Sequence, residues 1–139
     1  MAGYSGTPLE KKLGLKDGQR VCWLNRPASL ATLTTSRAFL VVEDSLGPGP
    51  HDVIHLFTDS RAWLEDTLPQ ALAALDKDGM IWVSWPKKAS KVPTDLTEDV
   101  IRALALTTTL VDVKVCAVDD IWSGLKLVIR KEHRPAHGT

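Results

Sequence analysis

Apolar residues in this chain follow two rhythms. Short runs rich in β-branched and aromatic side chains recur at residues 19–25, 38–42, 52–57, 80–85, 111–118 and 125–130, and they predict six strands. Between several of these runs, leucines return at spacings of three and four, which places them on one side of a helix. Leu64, Leu68, Leu72 and Leu75 follow a cap at Thr58 or Ser60 and predict a helix ending at Asp78-Gly79. Pro69 interrupts that pattern, and an interior proline costs ~3 kcal/mol or more, so a kink or break is expected there. Leu96, Val100, Ile101 and Leu104 form the inner stripe of a second helix begun at Thr94 or Thr97, with Asp95, Glu98 and Asp99 at its positive end. A shorter helix starts at Pro27 and reaches Thr35, carrying Leu30 and Leu33.

The ends of the chain are plainer. Residues 1–17 read as an arm in which Leu9 and Leu13 share one or two helical turns stopped at Gly14, and residues 131–139 as a frayed, flexible tail. The whole, 1–139, is expected to form one domain, since a chain of this length buries enough apolar surface for a core without disulfides or metals. Seventeen basic and seventeen acidic side chains cancel, so no global field favours nucleic acid and none is expected as a partner. No apolar run approaches the ~18 residues that span a bilayer, and no secretory leader is evident, so a soluble, cytoplasmic protein without a membrane partner is expected. Cys22 and Cys116 sit inside apolar runs and read as reduced, buried thiols.

Apolar strands separated by amphipathic helices imply parallel pairing with right-handed crossovers, and the short joint 119–124 implies a closing antiparallel hairpin. The expected fold is α/β, a three-layer Rossmann-like sheet, mostly parallel, with a C-terminal antiparallel hairpin strand. Over residues 52–130 this order of elements resembles the second half of class I methyltransferases, whose last strand is inserted antiparallel. The loop that is glycine-rich in that family corresponds here to Asn25-Arg26-Pro27-Ala28-Ser29, which has no glycine. Side chains there obstruct close backbone approach, which argues against ordinary S-adenosylmethionine binding and leaves the cofactor unknown. At finer grain, Tyr4-Ser5-Gly6-Thr7-Pro8-Leu9, Asp52-Val53-Ile54-His55, Trp82-Val83-Ser84-Trp85-Pro86-Lys87-Lys88, Thr94-Asp95-Leu96-Thr97-Glu98-Asp99 and Trp122-Ser123-Gly124-Leu125-Lys126 resemble the bacterial family catalogued as domain of unknown function 3052. That resemblance spans nearly the whole chain and implies no particular activity.

In an open α/β sheet, ligands bind beyond the carboxyl ends of the parallel strands, where loops and helix N-termini converge. The rule selects Asn25 and Arg26 after the first strand, Arg61 with Thr58, Asp59 and Ser60 after the third, Trp85, Lys87, Lys88 and Ser90 after the fourth, and Asp119, Asp120 and Trp122 in the hairpin. Lys87, Lys88 and Lys91 before a helix N-terminus suit an anionic small molecule, although exposed lysines more often pair with nearby carboxylates. Trp85 and Trp122 offer either a stacking platform or a lid on the core. Asp119 and Asp120 are candidates for a catalytic base or metal ligands, but adjacent strand-end carboxylates are more often turn formers. His51 and His55, four apart in a strand, stand ~13 Å from each other, too far to share an ion, so no metal is expected.

Three functions follow from different features. The leading one is a small ligand-binding or regulatory domain for an anionic small molecule. An alternative is a group-transfer enzyme of methyltransferase-like ancestry that lacks the glycine-rich cofactor loop. The third is a protein-interaction module or homodimer, because strand 38–42 is left at a sheet edge. An arm folded over the working face would bring Tyr4, Ser5 and Thr7 as donors.

Overall fold

The computed structural model describes residues 7–138. Strands β1 (Arg20–Leu24), β2 (Val41–Glu43), β3 (His51–Phe57) and β4 (Leu75–Pro86) pair in parallel, whereas β5 (Leu110–Ala117) and β6 (Trp122–Ile129) form the closing hairpin. Their spatial order is β2-β1-β3-β4-β6-β5, with β6 inserted antiparallel between β4 and β5. The expected α/β architecture is therefore present, its hairpin strand included. Central strands covered on both sides need apolar residues on both sides, and β3 and β4 supply them: Val53, Ile54, Leu56, Phe57, Ile81, Trp82 and Val83 are all buried.

Helices α2 (Arg61–Ala73) and α3 (Glu98–Leu106) cover one face, packing Leu64, Leu68, Ile101 and Ala105 onto Cys22, Ile54, Leu56, Ile81, Val83, Leu125 and Leu127. We call this the helix face. The opposite, arm face is covered by the four-residue helix α1 (Leu9–Lys12), the turn through Leu15, and a 3₁₀ segment at Ala28–Thr35. There Leu13, Leu15, Leu30 and Leu33 meet Val21, Trp23, Val53, Phe57, Met80 and Trp82. The Trp82 indole N–H donates to the Leu13 carbonyl at 3.0 Å, which pins the arm to the sheet.

Several local expectations give way to tertiary pairing. The helix expected to reach Asp78-Gly79 stops at Ala73, because Leu75 joins β4 and is buried there, paired with His51 of β3. That helix runs unbroken through Pro69, which lies on its exposed side, where water can take the Glu65 carbonyl that proline leaves free. The second strand is Val41–Glu43 rather than 38–42. Upstream of it, Asp17 accepts from the Ala38 N–H and Gln19 from the Leu40 N–H, so this stretch is tied to the Asp17-Gly18 turn. The helix expected after Pro27 is 3₁₀ and broken at Leu30. The tail is also held: Arg134 donates to the Ile129 carbonyl at 2.8 Å, and the His137 ring lies 2.7 Å from the Leu75 carbonyl. Tyr4 and Ser5 lie outside the described residues. No helix among the described residues is long and apolar enough to cross a membrane, and both cysteines are free thiols on non-neighbouring strands.

Candidate ligand-binding cleft

After β1 the chain crosses the arm face toward β2, and after β3 it enters α2 on the opposite face. Loops diverge between β1 and β3, and such a divergence is where open α/β sheets form a crevice. Asn25 closes it. Its backbone is left-handed (φ 59°), a conformation that asparagine tolerates better than most residues, and its side-chain amide donates to the Phe57 carbonyl across the gap at 3.1 Å. The place where related folds admit a ligand to a bare glycine backbone is thus filled by a side chain that latches β1 to β3.

Space opens beside that latch, over the ends of β1 and β2. A cleft of about 630 Å³ is lined by Trp23, Asn25, Arg26, Thr34, Val42, Glu43 and Asp44. Glu43 and Asp44 bring two exposed carboxylates, and Arg26 brings a guanidinium that donates to the Pro27 carbonyl at 3.2 Å. The Thr34 hydroxyl donates to Ala31 at 2.8 Å and keeps its acceptor lone pairs. Trp23 is 3% exposed and packs edge-on against Phe39, with ring centroids 5.7 Å apart. Its indole N–H is buried and meets no acceptor among the described residues. A buried donor left unpaired costs about 1–3 kcal/mol, so a native position that carries one calls for an explanation.

The remaining candidates gather at the same end of the sheet, in other roles. The Lys87 N–H donates to the Ile121 carbonyl at 2.8 Å and Pro86 pairs with Trp122, so the lysine loop and the hairpin turn are neighbours. Asp119 accepts from the backbone of Ile121 at 2.8 Å and Trp122 at 2.7 Å, which makes it a turn former, and Asp120 is exposed. Ser90 donates to the Lys87 carbonyl at 2.7 Å and accepts from Val92 at 3.2 Å. The Arg61 N–H is taken by Asp95 at 2.7 Å, and its side chain faces Glu65 at 3.4 Å. Lys87 is half-buried and Lys88 exposed.

The two tryptophans separate. Trp85 belongs to the helix-face core, whereas Trp122 packs on the arm face against Phe57. A sheet lies between them, so they form no common platform. Of the residues selected from sequence, only Asn25 and Arg26 line the cleft. Trp23, Thr34, Val42, Glu43 and Asp44 were not selected, although one signal pointed to them: Glu43 stands 18 residues after Asn25, close to the spacing at which an acid follows the first turn of a dinucleotide-binding unit.

Two buried histidines complete the inventory. His55 lies 2.6 Å from the Ser84 hydroxyl and stacks on Phe57, and its burial pushes its pKa down to about 3, so it is a neutral core residue. The His51 ring lies 2.6 Å from the Leu46 carbonyl; a carbonyl can only accept, so His51 is the donor. Among the described residues, no three His, Cys, Asp or Glu side chains converge as a metal site.

Comparison with solved structures gives the fold without an activity. The chain resembles the magnesium protoporphyrin IX methyltransferase of Synechocystis PCC 6803 with bound SAM, at a TM-score of 0.60 and 12% identity, covering 86% of this chain and 73% of that one. It also resembles a protein of the NADB-Rossmann superfamily from Streptococcus agalactiae, at a TM-score of 0.50 and 9% identity, covering 92% of this chain and 70% of that one. Comparison with curated protein sequences gives no match. A family model matches residues 40–131, well over half of the sequence, and the chain therefore belongs to the family described as protein of unknown function (DUF3052).

Proposed function

We propose that this protein is a small-molecule-binding domain whose ligand occupies the cleft over the ends of β1 and β2, and that the ligand is a nucleoside-type molecule bearing an anionic group. The observation that carries the reading is the Trp23 indole N–H, a buried donor that meets no acceptor among the described residues, in a residue that lines the cleft. A ligand acceptor at that position would satisfy it. Glu43 and Asp44, at the end of the second strand, are the chemistry that accepts paired ribose hydroxyls in dinucleotide-binding sheets, and Arg26 suits a phosphate or carboxylate. The fold shared with a SAM-bound methyltransferase adds support for a nucleoside, while the Asn25 latch favours a pose that stays clear of the β1–β3 crevice.

Binding is preferred over turnover on a positive observation: the polar side chains most suited to chemistry at the rim are committed to loops. Asp119 holds the hairpin turn, Ser90 its own loop, and Thr58 accepts from the Ser60 N–H at 3.1 Å.

Titration calorimetry with adenosine 5′-monophosphate, adenosine and ribose 5-phosphate tests the reading. Saturable binding of the monophosphate is expected, weakened roughly tenfold or more in a Glu43→Gln, Asp44→Asn double variant and again by Arg26→Gln. Equal binding by the wild type and both variants, or heat from none of the three compounds, overturns it.

A further inference from the structure

A different part of the sheet sets lysines side by side, and among the described residues none of them is in an ion pair. In the hairpin, Lys114 of β5 and Lys126 of β6 are direct cross-strand partners. Like charges in that relation repel, and sheets ordinarily avoid them. Leu125, Leu127 and Ile129 alternate onto the helix face, which turns Lys126 to the arm face, and Lys114 joins it with its ammonium 5.9 Å from the centre of the Trp82 ring.

The placement of Lys114 is a consequence of a local irregularity. Asp112 lies on the helix face, paired there with Arg102, and in a regular strand Lys114 would share that face. The register shifts between Asp112 and Lys114, and this one extra residue rotates Lys114 to the other side, against Lys126. Bulges of this kind re-aim side chains, often beside functional sites.

Two more lysines come from the arm. Lys12 donates to the Ala117 carbonyl at 3.1 Å, which holds it over β5, and Lys16 lines a cleft of about 380 Å³ together with Lys126. The same cleft contains Asp52, Asp76 and Asp78, but Arg20 already engages Asp52 at 2.8 Å and Asp76 at 3.8 Å. Ion pairs among the described residues use Arg20, Arg61 and Arg102, and no lysine takes part. Two neighbouring groups register the local excess of positive charge. Burial, then Lys114 and Lys16, push the Lys126 pKa down, and the Cys116 thiol, raised by burial, is pulled the other way by Lys12 and Lys114.

We propose that the Lys114–Lys126 pair, flanked by Lys12 and Lys16, is a second binding site for a phosphate-type dianion, on the arm face over β5 and β6. A dianion between the two ammonium groups replaces their repulsion with two charge-assisted hydrogen bonds and needs no rearrangement of the ladder. The site lies on other strands than the β1–β2 cleft, so the two can be tested separately.

The test uses the full chain at low ionic strength and measures both thermal stability and calorimetric binding of inorganic phosphate and pyrophosphate, with sodium chloride at matched ionic strength as the control. Phosphate and pyrophosphate should stabilise the wild type beyond the chloride control, pyrophosphate more strongly. In a Lys114→Gln, Lys126→Gln double variant the affinity should fall roughly tenfold or more, while without phosphate the variant should melt at a higher temperature than the wild type because the repulsion is gone. Lys87→Gln, Lys88→Gln should leave phosphate binding at the wild-type level. Vesicles of phosphatidylcholine with and without phosphatidic acid separate the sources of the phosphate: co-sedimentation that depends on phosphatidic acid and is lost in the double variant assigns a lipid headgroup, and its absence assigns a soluble ligand. Unchanged phosphate affinity in the double variant, or stabilisation no greater than chloride gives, overturns the proposal.

Discussion

On the helix face, α2 and α3 press leucines and isoleucine into a continuous core, and Arg102 is held by Glu98, Asp99 and Asp112, its guanidinium pKa raised by the hydrogen bonds and charges of Glu98 and Asp112. On the arm face, the same sheet carries a tryptophan N–H that meets no acceptor among the described residues, a neutral histidine in the core, and two lysines set against each other. Coverage differs as well: thirteen- and nine-residue helices on one side, a four-residue helix and a 3₁₀ segment on the other. Thin coverage leaves room for ligands, and unsatisfied groups supply something for ligands to satisfy. The contrast teaches that dense packing and paired charges are concentrated on one side of the sheet, and that the proposed recognition sites fall on the other.

Acid should break the contrast most strongly, through His55. Its pKa is depressed in the folded state to about 3, from an ordinary value of 6.5, so below pH 6.5 the unfolded chain binds a proton that the folded chain refuses. Stability contributed by the neutral ring is present above pH 6.5 and is lost as pH falls toward 3, at up to ~1.4 kcal/mol per pH unit. Urea unfolding from pH 7 to pH 4 should show this slope in the wild type and a much flatter one in His55→Gln, whose amide can still bond to Ser84. Parallel slopes would place the acid sensitivity elsewhere.

On the helix face, Leu64→Ala should cost roughly 2–5 kcal/mol in chemical denaturation, because Leu64 is fully buried, and should leave nucleotide affinity unchanged. A loss of affinity in the folded variant would mean that the faces are coupled. Gly124→Ala probes packing on the arm face. A β-carbon there would stand 3.1 Å from the Trp82 ring, 3.2 Å from the Ser84 hydroxyl and 3.3 Å from Val118, so destabilisation of about 1–3 kcal/mol is expected. Smallest in stability should be Trp23→Phe, within ~1 kcal/mol of the wild type, since removing an unpaired N–H offsets part of the lost packing.

Much of the fold was legible because its signals are local and redundant. Six apolar runs and the leucine spacing of α2 and α3 led to the right sheet, and the short joint at 119–124 led to the inserted antiparallel strand. Expectations failed where tertiary pairing outranked a local pattern. Leu75 fits the helical stripe, but His51 claims it for β4, and residues 38–40 look extended yet are bound to the Asp17-Gly18 turn. The cleft was harder to read. Its acids sit at the end of a three-residue edge strand and its floor is a tryptophan with the spacing of a core residue, so neither stands out from its neighbours in the sequence. The lysine pair was invisible for a sharper reason: only the bulge after Asp112 brings Lys114 to the face of Lys126, and periodicity alone puts them apart.

The central claim is that the Trp23 N–H donates to a bound ligand, and the indole region of a ¹H–¹⁵N correlation spectrum tests it directly. Five tryptophans give five indole signals, of which Trp23→Phe identifies one. On titration with adenosine 5′-monophosphate that signal should move downfield and saturate, as expected for an N–H that acquires an acceptor, while the signal of Trp85, in the helix-face core on the other side of the sheet, stays in place. A Trp23 signal that remains fixed at saturating nucleotide, or moves no more than that of Trp85, would contradict the account.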